Sequence, residues 1–409
     1  MNFTKNFKNV LIISDSFVPE KISAAGMIYN LSKEIVGRDI RVICAFSGHD
    51  KKKIKKKYDL NGIKIIQTCF LSSFRNKSLV FRFIFEISIS IILAVKCYFY
   101  FKNRIKPDLI IWYGPSVFLW IVVKVINFSN QIPVYYILRD IFPDWLISLG
   151  IIKNFIVIAT LKVISYPQFL VSNVIGVETV ENVDYLKNKI KNKKIELLPN
   201  WPNIVLARSY KVDDYIKNNF TSLSGKYKQH QLLKLIYIGN NSLAHDFNSI
   251  IDFLNNFEEF DKLIINTFSK PSKLKTITNK SVIQKNWGLV SDYNFPFIFS
   301  KMDCGIVSLN RHATTSNIPG KFISYVQFGL PIICFANFKS PLSRLILQYE
   351  CGIVIDLSEN KNINKKKLYT FIKDFKKFKK LLSMNSRKLF IEHFDTKSIT
   401  NKILGNNYD

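Results

Sequence analysis

NIPGKFISYVQFGLPIICF, residues Asn317–Phe335, passes from a helix pattern to a strand pattern. A Pro-Gly-Lys triplet opens the helix. Phe322, Ile323 and Val326 supply its inward face, Gly329 closes it, and Pro331 leads into an apolar run. Upstream, GIVSL (Gly305–Leu309) is a short apolar run of its own. Together they make a strand–helix–strand unit, whose parallel strands need cover on both faces. The helix mouth offers free backbone N–H groups and a partial positive charge, with Lys321 beside them, so it suits an anion such as a diphosphate. It is not a P-loop: the Gly four residues before the Gly-Lys pair is absent, and Phe322 stands where Ser or Thr would. A glycine turn ahead of a core helix is the plainer alternative.

The same rhythm extends in both directions. Lys234–Gly239, Lys262–Asn266, Pro331–Phe335 and Gly352–Asp356 are further strand runs in the second half. Asn9–Ser14, Arg41–Phe46, Gly62–Gln67, Asp108–Tyr113, Pro133–Leu138, Asn173–Val177 and Lys194–Pro199 fill the first. Helical spacings separate them; Met27, Ile28, Leu31 and Ile35 recur on one face before Gly37. The polar stretch Asn200–Gln231 breaks the rhythm and is expected to be a linker. A chain of 409 residues is too long for one ordinary core. The expectation is an α/β protein of two Rossmann-like, doubly wound domains facing across a cleft. Their bounds are 1–202 and 203–384, with a C-terminal helix over 385–409 returning to the first domain.

The net charge is +29. Nucleic acid, an anionic membrane surface and a composition rich in Lys, Asn, Ile and Phe each account for part of it. KKKIKKK (Lys51–Lys57) is the densest run. Ser78–Phe101 is long enough for a membrane span, but Arg82, Glu86 and Lys96 interrupt it. A crossover helix packed on the sheet, with an apolar edge dipping into the bilayer surface, is expected instead. None of the six cysteines forms a CxxC pair, which predicts free core thiols in a reducing compartment. Five scattered histidines make a zinc site unexpected. Val10–Ile13 is too short an apolar run for a signal peptide, so a cytoplasmic location is expected.

Three more strand-to-helix junctions hold candidate residues. DSFVPEKISAAG places small residues, including Ala25 and Gly26, at the first helix. There a ligand can approach the backbone, although no GxGxxG is present. ILRDIFPDWL sets Arg139 and Asp140 at the top of a strand, where parallel sheets meet ligands; a local ion pair or helix cap is the alternative. YIGNNSLAHDF puts Gly239, Asn240 and Asn241 after a strand, with Asp246 as a helix N-cap.

FVPEKISAAGMIYNLSKEI, LRDIFPDWLISLGII, LLPNWPN, YIGNNSLAH, NWGLV and HATTSNIPGKFISYVQFGLPI occur in this order along most of the chain. Together they resemble the retaining GT-B glycosyltransferases of family 4, in the branch of the L-fucosamine-type transferases of O-antigen and capsule assembly. The resemblance implies a UDP-sugar donor, an N-acetylated deoxy-hexosamine, and transfer with retention to a polyprenyl-diphosphate-linked saccharide. It implies no metal and no cofactor. It places the donor diphosphate at Gly239, Asn240, Asn241, Pro319, Gly320 and Lys321, and the base near Trp287 and Gly288. Asp140 would orient a reacting hydroxyl, Arg139 would support it, and Glu86 would serve as an acceptor-side carboxylate. The protein would sit peripherally on the inner face of the plasma membrane, and nucleic acid would not be its partner. Two features depart from the family pattern. Ser316 and Ser324 occupy the places of two glutamates, the second of which normally holds the ribose, and the usual Arg and Lys near Gly239 are missing. An epimerase of UDP-N-acetylhexosamines and a basic nucleic-acid-binding protein are the alternatives from other classes.

Overall fold

The computed structural model describes residues 6–20, 22–48, 58–69, 79–114, 116–129, 131–148, 150, 152–202, 212–218, 220, 233–239, 246–257, 263–269, 275–310 and 318–405. The chain divides into two compact units, Met1–Pro199 with Thr396–Asp409, and Asn200–Asp395.

The first unit is built on strands β1 (Asn9–Ser14), β2 (Arg41–Gly48), β3 (Tyr58–Leu60), β4 (Ile63–Cys69), β5 (Leu109–Tyr113), β6 (Val134–Leu138), β7 (Val174–Val177) and β8 (Lys194–Leu197). They lie in the order β3-β4-β2-β1-β5-β6-β7-β8, all parallel except β3, which runs antiparallel to β4. Val10–Ile13 of β1 are wholly buried, which is why a central strand covered on both faces is an unbroken apolar run. The crossover direction reverses between β1 and β5, so the carboxyl edge there is where ligands are met.

Helix α1 (Ser23–Val36) joins β1 to β2, and α2 (Leu79–Phe101) joins β4 to β5 as the expected crossover. The inner residues of α2, among them Leu93, Ala94 and Cys97, enter the core with Val122 and Val123 of α3 (Trp120–Ile126). Its outer residues, including Ile84, Ile92, Val95 and Phe99, stay exposed. By length and composition alone, Phe83–Phe101 is long and apolar enough to cross a membrane. Helices α4 (Asp144–Ser148), α5 (Phe155–Ser165) and α6 (Pro167–Leu170) lie between β6 and β7, and α7 (Val180–Lys189) between β7 and β8.

The second unit carries a parallel sheet in the order β11-β10-β9-β12-β13-β14. Its strands are β9 (Leu233–Ile238), β10 (Leu263–Phe268), β11 (Val282–Asn286), β12 (Cys304–Ser308), β13 (Ile332–Phe335) and β14 (Gly352–Ile355). Helices α8 (Phe247–Asn255), α9 (Phe295–Ser300), α10 (Gly320–Gln327), α11 (Pro341–Gln348) and α12 (Lys361–His393) cover it. Its direction reverses between β9 and β12, and α10 follows β12. Phe322, Ile323 and Val326 are buried as their spacing predicts, and Gly329 ends the helix at φ +70°, in the left-handed region.

Four details differ from the sequence reading. β3 escaped notice, although Asn61-Gly62, both at positive φ, is a two-residue hairpin turn. β11 escaped because it is an edge strand in which only Val282 is fully buried. The expected linker is partly core: Ile216 and Phe220 are buried, and the Phe220 ring stacks on Trp287 at 4.4 Å. Finally, residue 385 lies inside α12. The segment grouped with the first unit begins at Thr396 as α13 (Thr396–Leu404), which packs on α1. Cys44, Cys97, Cys304, Cys334 and Cys351 are free and buried.

Candidate active site

The carboxyl edge of the second sheet is organised around α10. Pro319 is its N-cap residue in an extended conformation, so Gly320 and Lys321 form the helix mouth. From there the Lys321 side chain reaches the end of β9. Its Nζ lies 4.1 Å from the centroid of the Tyr237 ring, which is itself stacked on Phe247 at 4.0 Å. Gly239 follows β9 at φ +109°, a conformation that side chains rarely adopt, and a Cβ there would stand 3.5 Å from Nζ. The Lys321 residue is half-buried, yet its Nζ is shut off from solvent and has no hydrogen-bond partner among the described residues. Burial therefore disfavours the ammonium and lowers its pKa to about 7. An amine on a ring face with no hydrogen bond of its own can still donate to an anion, and it stands where the order of the sheet reverses.

Tyr325, one turn further along α10, fixes this arrangement. Its hydroxyl accepts from the Ile238 N–H at 3.0 Å and donates to the Ile236 carbonyl at 3.3 Å. A Cβ at Gly305 would overlap its ring. Ser324 is buried, and its hydroxyl donates to the Gly320 carbonyl at 3.1 Å. Trp287 lies past β11 at the same sheet edge. Its indole N–H donates to Asn266 Oδ1 at 2.9 Å, and the half-buried ring packs against the core. Gly288 follows at φ +69° with open space at its Cβ position. Asp246 caps α8, its carboxylate accepting from the Ser249 N–H at 3.2 Å. Asn240, Asn241 and Ser316 lie outside the described residues.

The carboxyl edge of the first sheet is charged. Arg139, directly after β6, is buried and donates through Nη1 to the Leu198 carbonyl at 2.6 Å, with Pro199 at 3.4 Å. The guanidinium thus ties the end of β6 to the segment after β8. Asp140 is open to solvent on one side. The protein around its other side raises its carboxyl pKa above the ordinary value, with Arg139 opposing. Asp15 after β1 and Glu178 after β7 meet the same edge. Together with Arg139 and Asp140 they act on the buried Tyr113 hydroxyl, which burial pushes up to about 12. Asp15, Tyr113, Glu178 and, in the second unit, Tyr237 were not singled out from the sequence. The signal available was their position at or just after the end of a strand.

Ala25 and Gly26 are buried in the first turn of α1. Glu86 lies on α2, half-buried, one turn past Phe83. The Phe83 ring meets Phe118 at 5.8 Å and Phe142 at 6.1 Å, which brings the start of α2 to the loop carrying Asp140.

No protein-family model matches the chain, and no curated protein matches it in sequence. Solved structures do match in fold. The N-terminal domain of trehalose-6-phosphate phosphatase from Candida albicans has a TM-score of 0.70 at 10% identity, over 99% of this chain and 98% of that one. Sucrose-phosphate synthase from Thermosynechococcus elongatus has a TM-score of 0.65 at 11% identity, over 97% of each chain. HepE from Anabaena, solved with UDP-glucose, has a TM-score of 0.59 at 14% identity, over 97% of this chain and 98% of that one. These likenesses establish the fold, two parallel-sheet Rossmann-like units of the GT-B type. The neighbours' different names show why fold alone does not fix a reaction.

Proposed function

We propose that the chain is a glycosyltransferase that takes a UDP-sugar as donor and transfers with retention to a lipid-linked saccharide in surface-polysaccharide assembly. The observation that carries this reading is the partnerless, closed-off Nζ of Lys321 beside Gly239 at the mouth of α10. HepE, solved with UDP-glucose on the same fold, supports a nucleotide-sugar as the anion. The finer assignments are family 4, an N-acetylated deoxy-hexosamine donor, a polyprenyl-diphosphate acceptor and independence from metal. They rest on the sequence resemblance.

In this reading the donor diphosphate binds against Lys321, Gly239 and the first N–H groups of α10. Its charge draws a proton onto the amine, so the ammonium faces the phosphate that must leave. Stabilising that leaving group is what the transition state requires, and no protein nucleophile is needed. Asp140 orients a hydroxyl of acceptor or donor, and the clamped Arg139 holds the end of β6 in place beneath it. The exposed outer face of α2 and the Lys51–Lys57 run, which lies outside the described residues, attach the protein to the inner membrane surface.

A thermal-shift screen of UDP and UDP-sugars, followed by transfer assays on lipid-linked acceptors, tests the proposal. UDP should raise the melting temperature, because a ligand of the native state stabilises it. No shift with any UDP compound would overturn the donor assignment. Conversion of a UDP-sugar incubated alone into its epimer would replace transfer by epimerisation.

A further inference from the structure

Helix α5 inverts the usual pattern of a surface helix. Its inward side is narrow, with Leu161 and Ser165 buried. Phe155, Ile156, Val157, Val163 and Ile164 are exposed, Phe155 at 77% and Val163 at 72%. At 3.6 residues per turn these cover an arc of roughly 200°, about twice the stripe with which a surface helix meets a protein core. Thr160, which falls within the arc, does not offer its hydroxyl outward: it donates to the Ile156 carbonyl at 2.9 Å. At the helix start, the Asn154 side chain accepts from the Ile156 and Val157 N–H groups. The outer face is thus apolar and its polar groups are satisfied internally, as surroundings without water demand.

We infer that α5 is an interfacial membrane helix that lies in the surface of a bilayer containing anionic lipid. The charges choose this occupant. No Asp or Glu occurs from residue 145 to 177, while Lys153 and Lys162 flank the arc. Lys193 adds a third cation, donating to the carbonyls of Leu170 and Ser172. Exposed Tyr166 and Leu170 continue the apolar surface past the end of the helix. Eleven residues reach about 16 Å, half of a hydrocarbon core of about 30 Å, so α5 lies along the surface and does not cross. This helix is distinct from the α2 face proposed above, and its role holds whether or not the chain transfers sugar.

The test uses the full chain and vesicles of phosphatidylcholine with or without phosphatidylglycerol. The wild type should bind the anionic vesicles more tightly. Phe155→Gln with Val163→Gln should weaken binding about tenfold per side chain without lowering the melting temperature, since both side chains are exposed. Phe155→Trp should keep the affinity and add fluorescence that lipids brominated on their acyl chains quench. Unchanged affinity in the double Gln variant overturns the inference, and if Ile84→Gln with Phe99→Gln then abolishes binding, α2 alone is the anchor. A wild-type dimer dissolved by the α5 substitutions, with no vesicle binding, overturns it in favour of a second copy.

Discussion

The two sheets end differently at their carboxyl edges. In the first unit Asp15, Arg139, Asp140 and Glu178 all act on the buried Tyr113 hydroxyl, and Arg139 donates to backbone carbonyls. In the second unit Lys321 stands over a ring with its Nζ unbonded. One edge gathers three carboxylates and a guanidinium, and the other holds an amine with no hydrogen bond of its own. The contrast comes from the residues that follow the strands, within one shared architecture. In the proposed function it becomes a division of labour, with nucleotide charge met in the second unit and hydroxyl groups handled in the first.

The largest expected effect is on Lys321. Lys321→Ala should cost about 2–4 kcal/mol in the transition state, roughly a thirtyfold to a thousandfold loss in turnover. It should also remove the melting shift given by UDP. Folding should survive, because the amine has no hydrogen bond to lose and its burial disfavours the charged form. Wild-type turnover at saturating donor would erase the contrast between the edges. A pH series sharpens the same point. The folded pKa of Lys321, about 7, is below its ordinary 10.5, so the unfolded chain binds more protons between those values. Stability of the ligand-free protein should therefore rise with pH across that window, by up to about 1.4 kcal/mol per unit, and the penalty should be fullest below it. Lys321→Met should flatten the slope. UDP affinity should fall over the same window as the amine loses its proton, and Lys321→Arg should lessen that fall.

Asp140→Asn probes the other edge. It keeps the shape and removes the charge. If Asp140 orients a reacting hydroxyl, turnover should fall about tenfold to a hundredfold while UDP affinity stays near wild type. Parallel loss of UDP affinity, measured calorimetrically, would break the division of labour. Gly239→Ala is smaller again. Its φ of +109° should make the change cost about 1–2 kcal/mol of stability, read as a lowered melting temperature.

Much of this was legible in the sequence because both sheets are covered on both faces. Burial on both sides forces unbroken apolar runs, and Asn9–Ser14 was read to the residue. Edge strands lack that constraint, and β11 is half polar for this reason. Lys321 could be placed at a helix mouth from its Pro-Gly-Lys context. Its lack of a partner, and its seat over Tyr237, required the fold. The family resemblance implies the base near Trp287 and Gly288, and how that indole is seated also required the fold. It donates to Asn266 and stacks on Phe220, which comes from the stretch expected to be a linker.

The smallest expected effect concerns Ser324, which occupies the place where the family resemblance implies a ribose-holding glutamate. Its hydroxyl donates to the Gly320 carbonyl one turn back, so its proton is already used within the helix. Ser324→Ala removes that bond but gains helix propensity of about 0.5 kcal/mol, and the two changes should nearly cancel in stability. UDP affinity should change by less than about threefold, the scale of half a neutral hydrogen bond. Titrating wild type and Ser324→Ala with UDP and with 2′-deoxy-UDP isolates the contact. If the loss from deleting the sugar hydroxyl is the same in both proteins, the two groups do not interact and the ribose is held elsewhere on the edge. A loss present in the wild type and absent in Ser324→Ala would mean that the hydroxyl leaves Gly320 for the ribose on binding. The second edge would then rearrange around its ligand and would not be fully preformed.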